Sequence, residues 1–264
     1  MAIRVAVSGT GRMGREVLAA LCREEDLEPV AVLSRSAQEE YLPLPDGSGL
    51  VPFGSEPLPL FQRVQPQVVV DFTHADFTPK VARAALEVEA RPVIGTSGLS
   101  ESFLEELREE CRRRRLGAIV APNFAIGGVL MVHLARVAAR FFDAAEIIEM
   151  HHDQKADAPS GTALATARAM LQARGGPFRR PATQRENLPG TRGGHLEGIT
   201  IHSVRLPGLV AHQEVVLGGP GQVLTIRHDS TSRESFVPGV LLAVRRVLEL
   251  DGLVVGLEAL LGLE

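Results

Sequence analysis

Apolar positions along the chain come in two kinds of pattern. Short, nearly continuous apolar runs lie at residues 3–7, 30–33, 68–70, 93–94 and 119–120. Between them, apolar residues recur at three- and four-residue spacing: Val17, Leu18 and Leu21; Val81, Ala84, Ala85 and Val88; Phe103, Leu104, Leu107 and Cys111. Runs of the first kind read as buried strands and sets of the second as amphipathic helices. Their alternation predicts an N-terminal Rossmann-type doubly wound parallel sheet with helices on both faces. Residues 36–66 interrupt it with Pro43, Pro45, Gly47, Gly49, Pro52, Gly54, Pro57 and Pro59. That stretch reads as loop with room for one short helix or strand.

After Asn123 the pattern changes. A long helical set spans residues 129–142, followed by a strand-like run at 145–148 and a helix at 163–173. An irregular basic stretch, 174–192, precedes three period-two segments at 199–205, 210–217 and 223–228, separated by turns such as Pro207-Gly208. Crowded strands of this kind predict a C-terminal α+β domain with a mixed or antiparallel sheet. One or two local helices cover only one face of such a sheet, so the other predicts a homo-oligomer. Residues 240–250 and, beyond a break at Asp251-Gly252, 253–261 read as apolar helices returning to the first domain. The expected division is a dinucleotide-binding domain, 1–122 with 238–264 packed onto it, and a substrate-binding and oligomerisation domain, 123–237, with hinges near Asn123 and Ser235.

Composition narrows the function classes. The 264 residues are 45% apolar and 23% charged, a globular balance. A formal charge of -4 and a pI near 6.1 argue against a nucleic-acid partner. The one basic run, Arg112 to Arg115, follows Glu109 and Glu110 at a spacing that predicts the i,i+4 pairs Glu109–Arg113 and Glu110–Arg114 on a solvated face. No apolar run is long enough to span a bilayer and no signal peptide precedes residue 3, so no membrane association is expected. Cys22 and Cys111, each inside a helical pattern without a motif around it, read as reduced cysteines of a cytoplasmic protein.

Candidate chemistry falls in two places. Gly9-Thr10-Gly11-Arg12-Met13-Gly14 sits between a strand and a helix, the context in which a Gly-x-Gly-x-x-Gly spacing predicts a dinucleotide. Gly9 permits the turn, Gly11 lets the backbone approach a pyrophosphate, and Gly14 lets helix and strand pack closely. Where an acidic residue normally holds the adenosine ribose, the second strand ends in Ser34 and Arg35. Without a carboxylate there, NADPH is expected to be accepted at least as well as NADH, with Arg35 and Arg12 available to its 2'-phosphate; an ordinary loop role for Arg35 stands beside this reading. The turns at 71–74, 95–97 and 121–124 end on the same carboxyl edge, so the nicotinamide is expected beside the last two, with Phe72 or Phe124 near its ring.

The second place is residues 149–162. Two imidazoles, His151 and His152, one ammonium, Lys155, and the turn Ser160-Gly161-Thr162 opening a helix stand within a dozen positions. Free N–H groups and the positive dipole end of a helix suit a carboxylate or phosphate. Lysine occurs only at 80 and 155 in the chain, all other basic side chains except histidine being arginine. Arginine cannot lose its proton, whereas a lysine can. The arrangement reads as a site for an anionic substrate that needs a proton. His195, His202, His212 and His228 show no zinc-site spacing, so no metal is expected.

The glycine motif, Asp71-Phe72-Thr73, Gly95-Thr96-Ser97-Gly98, Ala121-Pro122-Asn123-Phe124 and above all residues 149–162 together resemble the dihydrodipicolinate reductases, over the whole length of the chain. The resemblance implies a two-domain, usually tetrameric cytoplasmic enzyme of the diaminopimelate route to lysine. Such an enzyme takes a hydride from NADH or NADPH and reduces a cyclic imine dicarboxylate. It further implies His151 as general acid, Lys155 as a second proton donor, His152 as a substrate contact, and Ser160, Gly161 and Thr162 as the carboxylate cradle. Ser8, Gly9, Thr10, Gly11, Arg12, Met13, Ser34, Arg35, Gly95, Thr96, Ser97, Ala121, Pro122, Asn123 and Phe124 match the cofactor-binding positions. Ser34 departs from the acidic residue often found there. The competing readings are another nicotinamide-dependent dehydrogenase acting on an oxidised sugar or a semialdehyde, and a non-catalytic NADPH-binding module.

Overall fold

The computed structural model describes residues 1–263. Its contacts form two compact units, residues 1–126 with the chain from 233 onward, and residues 127–232.

The first unit starts with β1 (Ile3–Ser8), α1 (Arg12–Leu21) and β2 (Leu27–Leu33), followed by β3 (Tyr41–Pro43), β4 (Leu50–Gly54), α2 (Pro57–Val64) and β5 (Val68–Asp71). Then come α3 (Thr78–Glu87), β6 (Arg91–Ile94), α4 (Glu101–Arg114) and β7 (Ala118–Val120). The Pro/Gly-rich stretch holds more than the one short element its composition suggests. β3 and β4 pair antiparallel, β4 continues the sheet parallel to β2, and α2 starts on Pro57, whose missing N–H is no loss in a first turn. Leu60, Phe61 and Val64 of α2 pack with Val81, Ala84 and Ala85 of α3 over Ala6, Leu33 and Val69 of the sheet. A second cluster joins Phe103, Leu107 and Cys111 of α4 to Ile94 and Val120. Burial pushes the Cys111 thiol up to about 11, so it packs as a neutral apolar group. On the outer face of α4, Arg114 pairs with Glu110 at 3.1 Å as its spacing predicts. Arg113, expected on Glu109, instead reaches Glu110 at 2.6 Å, because the i,i+3 and i,i+4 positions share one strip of helix surface.

The second unit contains α5 (Ile126–Ala138), most of which lies past residue 126, and β8 (Ala144–His151), α6 (Gly161–Arg174), β9 (Gly194–Leu196), β10 (Ile199–Arg205), β11 (Ala211–Gly219) and β12 (Gln222–Ser230). Its five strands make a mixed sheet in the order β12-β11-β8-β10-β9, with β8 parallel to β10 and antiparallel to β11. β8 alternates strictly: Ala145, Ile147 and Glu149 are buried while Glu146, Ile148 and Met150 are half-exposed. The buried row packs under α5 and α6 through Ala135, Ala163, Ala167 and Met170. The opposite face carries Val216 and Val223 among Glu146, Glu214 and Arg227, and no helix of this unit's core cluster covers it. The strand expected at 145–148 runs on to His151, because the pairs with β10 and β11 continue that far.

The chain then returns to the first unit with α7 (Val237–Arg246) and β13 (Leu253–Val255). The helix expected over 253–261 is not formed. Val254 and Val255 extend beside β7, in parallel, and only Ala259–Leu261 makes a 3-10 turn. Gly256, at φ +89°, turns the chain out of the strand, and β-branched residues fit an edge strand better than a helix. The finished sheet has eight strands in the order β13-β7-β6-β5-β1-β2-β4-β3, parallel throughout except at β3–β4.

Candidate active site

In the first unit, β1 ends at the buried Ser8 and turns through Gly9 at φ +112°, a conformation reserved for glycine. A Cβ on Gly14 would lie 1.9 Å from the Gly9 carbonyl oxygen, so the first turn of α1 presses on the loop that precedes it. A Cβ on Gly11 would meet nothing within 4 Å, which leaves the α1 N-terminus open to an incoming group. That terminus has neither a side-chain cap nor an acidic residue in its first turn. Unpaired N–H groups with the dipole behind them suit a pyrophosphate. Beside them, Gly9, Thr10, Gly11, Ser34 and Arg35 line a cavity of about 380 Å³ with Ser36, Phe72, Thr73, His74 and Phe77. Shape, donors and lack of negative charge all fit a dinucleotide.

Ser34 is buried, its hydroxyl bonded to those of Thr10 and Ser36 at 3.1 Å each. Arg35 is not free as its position in the sequence suggests: its guanidinium lies over the Phe77 ring and pairs with Asp76 at 2.8 Å. Both partners are exposed, so the pair is weak and can be exchanged for a phosphate. Arg12 and Met13 stand in the first turn of α1, Arg12 exposed.

The other strand ends meet at Asp71. Its buried carboxylate accepts hydrogen bonds from Thr78 at 2.5 Å, Thr73 at 2.8 Å and Thr96 at 3.1 Å. Burial pushes this carboxyl above its ordinary value even with those donors present. The three hydroxyls tie the ends of β5 and β6 to the start of α3, which sets the turn of Gly95, Thr96 and the exposed Ser97. A Cβ on Gly95 would fall 2.1 Å from the Phe72 ring. Phe72 in turn meets Phe124 with centroids 5.6 Å apart. Phe124 is 1% exposed, so its ring is committed to packing and only Phe72 remains as an aromatic surface. After Ala121 and the exposed Pro122, the Asn123 side chain accepts the Ala125 N–H at 2.9 Å and closes that loop.

In the second unit, His151 is the last residue of β8, and its Nδ1 lies 2.6 Å from Glu149 Oε2. Glu149 is fully buried, and Arg205 from β10 grips both its oxygens, at 3.0 and 2.8 Å. Its Oε1 also accepts the Ser160 N–H at 3.2 Å. Burial works to raise the Glu149 carboxyl, but hydrogen bonds from Arg205, Ser203 and His151 hold it below the ordinary value of 4.5. Burial chiefly pulls the His151 imidazole below 6.5; Glu149 opposes this, and the positive charges of Lys155 and Arg205 add to it. Ser160 caps α6, its hydroxyl accepting the Ala163 N–H at 3.2 Å, while Gly161 and Thr162 form the first turn. Lys155 pairs with the exposed Asp157 at 2.7 Å. His152 sits half-buried at the head of the turn whose carbonyl accepts the Lys155 N–H.

The structure thus joins His151 to the Ser160 turn through a residue that the sequence reading left without a role. Glu149 and Arg205 were legible only as a charged residue just past one apolar run and an arginine ending another. Their shared register across β8 and β10 is a tertiary fact. The same holds for Asp71, Thr78 and Phe77 in the first unit. Among the described residues no group of three His, Cys, Asp or Glu side chains could hold a metal ion; His202 and His212 pair with Glu146 and Asp229.

Two family models match in sequence. Residues 3–124 match the dihydrodipicolinate reductase N-terminus and residues 127–261 the C-terminus. A 4-hydroxy-tetrahydrodipicolinate reductase from Moorella thermoacetica is 50% identical over 264 residues, 98% of each chain. One from Dehalococcoides mccartyi (strain ATCC BAA-2266 / KCTC 15142 / 195) is 49% identical over 262 residues, 99% of each chain. Among solved structures, a dipicolinate-bound dihydrodipicolinate reductase from Paenisporosarcina sp. TG-14 superposes with a TM-score of 0.87 at 42% identity, covering 98% of this chain and 99% of that one. An amine dehydrogenase from Mycobacterium smegmatis, with a TM-score of 0.68 at 17% identity over 96% and 95% of the two chains, shares the fold alone. With both halves matched in order and relatives near half identity over the whole length, the chain belongs to the dihydrodipicolinate reductase family.

Proposed function

We infer that this protein is a 4-hydroxy-tetrahydrodipicolinate reductase, which reduces the cyclic imine dicarboxylate of the diaminopimelate route to lysine and releases tetrahydrodipicolinate. The observation that carries this reading is the imidazole of His151 held beside the Ser160-Gly161-Thr162 helix terminus in a chain that also carries a dinucleotide cradle. A reduced nicotinamide, when bound, supplies the hydride. Ser8, Gly9, Thr10, Gly11, Arg12 and Met13 hold its pyrophosphate, Ser34 and Arg35 its adenosine ribose, and Gly95, Thr96, Ser97 and residues 121–124 its nicotinamide end. The first unit is therefore the dinucleotide-binding domain and the second the substrate-binding domain.

Once the 4-hydroxyl of the substrate has left as water, adding a hydride to the resulting carbon–carbon double bond conjugated with the imine leaves an electron-rich enamine, which must take a proton at carbon. His151 donates it, a step typically worth about 10² to 10⁴ in rate. The Gly161 and Thr162 N–H groups and the α6 dipole bind one substrate carboxylate, with Ser160 shaping the turn, and His152 contacts the substrate. Lys155 exchanges its weak surface pair with Asp157 for the substrate and serves as a second proton donor. Two substrate carboxylates near His151 raise its pKa on binding and so restore the protonated form that burial disfavours.

NADPH and NADH both serve, NADPH at least as well, since the position that would repel a 2'-phosphate is Ser34. The exposed Val223 and the half-buried Ile148, Met150 and Val216 of the uncovered sheet face support a homo-oligomer, and the family's usual homotetramer is the assembly proposed. No helix among the described residues is long and apolar enough to cross a membrane, and the proposed setting is the cytoplasm. The test is loss of reduced-cofactor absorbance on adding freshly generated cyclic imine. Substrate-dependent oxidation is expected; binding of NADPH with no turnover would overturn the reading.

A further inference from the structure

The one charged side chain of the second unit that is buried outright, among the described residues, is Glu149, not a residue that would touch substrate. It is the only acidic side chain on the helix-covered face of β8, and is fully buried in a row that the strand register builds across the sheet: Ser203, Glu149, Gln213 and His228. A carboxylate placed there without partners would be strongly destabilising, so each of its bonds bears on why it is tolerated. Besides the bond from the Ser203 side chain, they divide by oxygen. Oε2 receives His151 Nδ1 at 2.6 Å and one Arg205 nitrogen at 3.0 Å. Oε1 receives the Ser160 N–H at 3.2 Å and the other Arg205 nitrogen at 2.8 Å. Arg205 also bonds the Asp157 carbonyl at 2.7 Å, which anchors the loop between β8 and α6.

We propose that Glu149 is the positioning residue of this site, setting the ring orientation and tautomer of His151 through one oxygen and the Ser160 turn through the other. The proposal deepens the functional reading above and rests on His151 being the proton donor. With Nδ1–H directed at a buried carboxylate, Nε2 is the ring nitrogen left to give its proton to substrate. The charged groups around the ring are Glu149 on its own strand, Arg205 on β10, and Lys155 and Asp157 on the loop; His228 on β12 lies beyond the neutral Gln213. Glu149 is thus the one buried negative charge bonded to the imidazolium. An amide in its place has a single acceptor oxygen for two sets of donors, so Glu149→Gln must turn an NH2 group either toward His151 and Arg205 or toward Ser160 and Arg205.

The test compares Glu149→Gln with wild type in three readouts. Turnover should fall about 100-fold. The basic limb of its pH profile should move down by about one pH unit. The dissociation constant for NADPH should stay within twofold. A folded Glu149→Gln protein with wild-type turnover and an unmoved limb would overturn the proposal. If that variant fails to fold, the tautomer in the uniformly 15N-labelled wild-type chain decides. Neutral His151 must carry its proton on Nδ1, with the signal assigned by its loss in His151→Gln; a proton on Nε2 ends the idea. Failure of the underlying reading looks different, because His151→Gln would then keep its turnover whatever Glu149 does.

Discussion

The two units each carry a polar site, built from opposite materials. In the first, the cradle is backbone and hydroxyl: glycines at the turn, the open N–H groups of α1, and Thr10, Ser34 and Ser36 linked in a chain, with no carboxylate lining the cavity. In the second, the site is a cluster of ionisable side chains, His151, Glu149, Arg205, Lys155 and Asp157, joined by charge-assisted bonds. A group that only has to be held, as a pyrophosphate does, is served by fixed dipoles that need no titration. A proton that has to move needs a group whose pKa can be set, which calls for burial and counter-charge. The comparison teaches that rigidity of the chain decides the first site and electrostatic balance the second.

That contrast can be broken by substitution. The largest effect is expected from His151→Gln: turnover down by about 10² to 10⁴ with NADPH affinity unchanged, measured by steady-state kinetics and fluorescence titration. Equal losses in both quantities would mean that the two sites are not separable. Gly14→Ala should do the reverse. Its Cβ meets the Gly9 oxygen at 1.9 Å, so the loop and α1 must part. Thermal unfolding should report a loss of about 1 to 3 kcal/mol, and NADPH affinity should collapse while the His151 tautomer is kept.

Acidity sharpens the second half of the comparison. Because burial holds His151 below 6.5 and the acid form is the one that donates, kcat/KM should fall as pH rises through that lowered value. The limb in kcat should lie at higher pH, since bound substrate adds negative charge. Coincident limbs would show that the substrate carboxylates do not reach the ring. Glu149 acts at the other end: held below 4.5, its carboxylate contributes stability that is complete above the ordinary value and is lost as pH falls through the depressed one. The smallest expected effect belongs to the first unit, where charge matters least. Asp76→Asn frees Arg35 from an exposed pair and should improve NADPH affinity over NADH by roughly two- to fivefold, read from paired titrations. No change would assign Arg35 to its packing on Phe77 alone.

What was readable in the chain and what was not divides along physical lines. Local periodicity and backbone freedom are properties of neighbours in sequence, so the alternating strands and helices, the glycine turn at 9–14 and the helix-opening Ser160-Gly161-Thr162 could all be read without coordinates. Segments whose partner lies far away could not. Residues 253–255 are apolar enough for a helix and become a strand only because the edge of β7 is free to pair with them. Likewise Arg35 is a candidate phosphate ligand by position, until the loop after β5 brings Asp76 to within 2.8 Å. The sequence by itself determined which residue types could carry the chemistry and near which element ends they would sit. Only the tertiary structure decided which charges pair, because Glu149 and Arg205 are 56 positions apart and become partners through the register of two strands, a choice that no local pattern encodes.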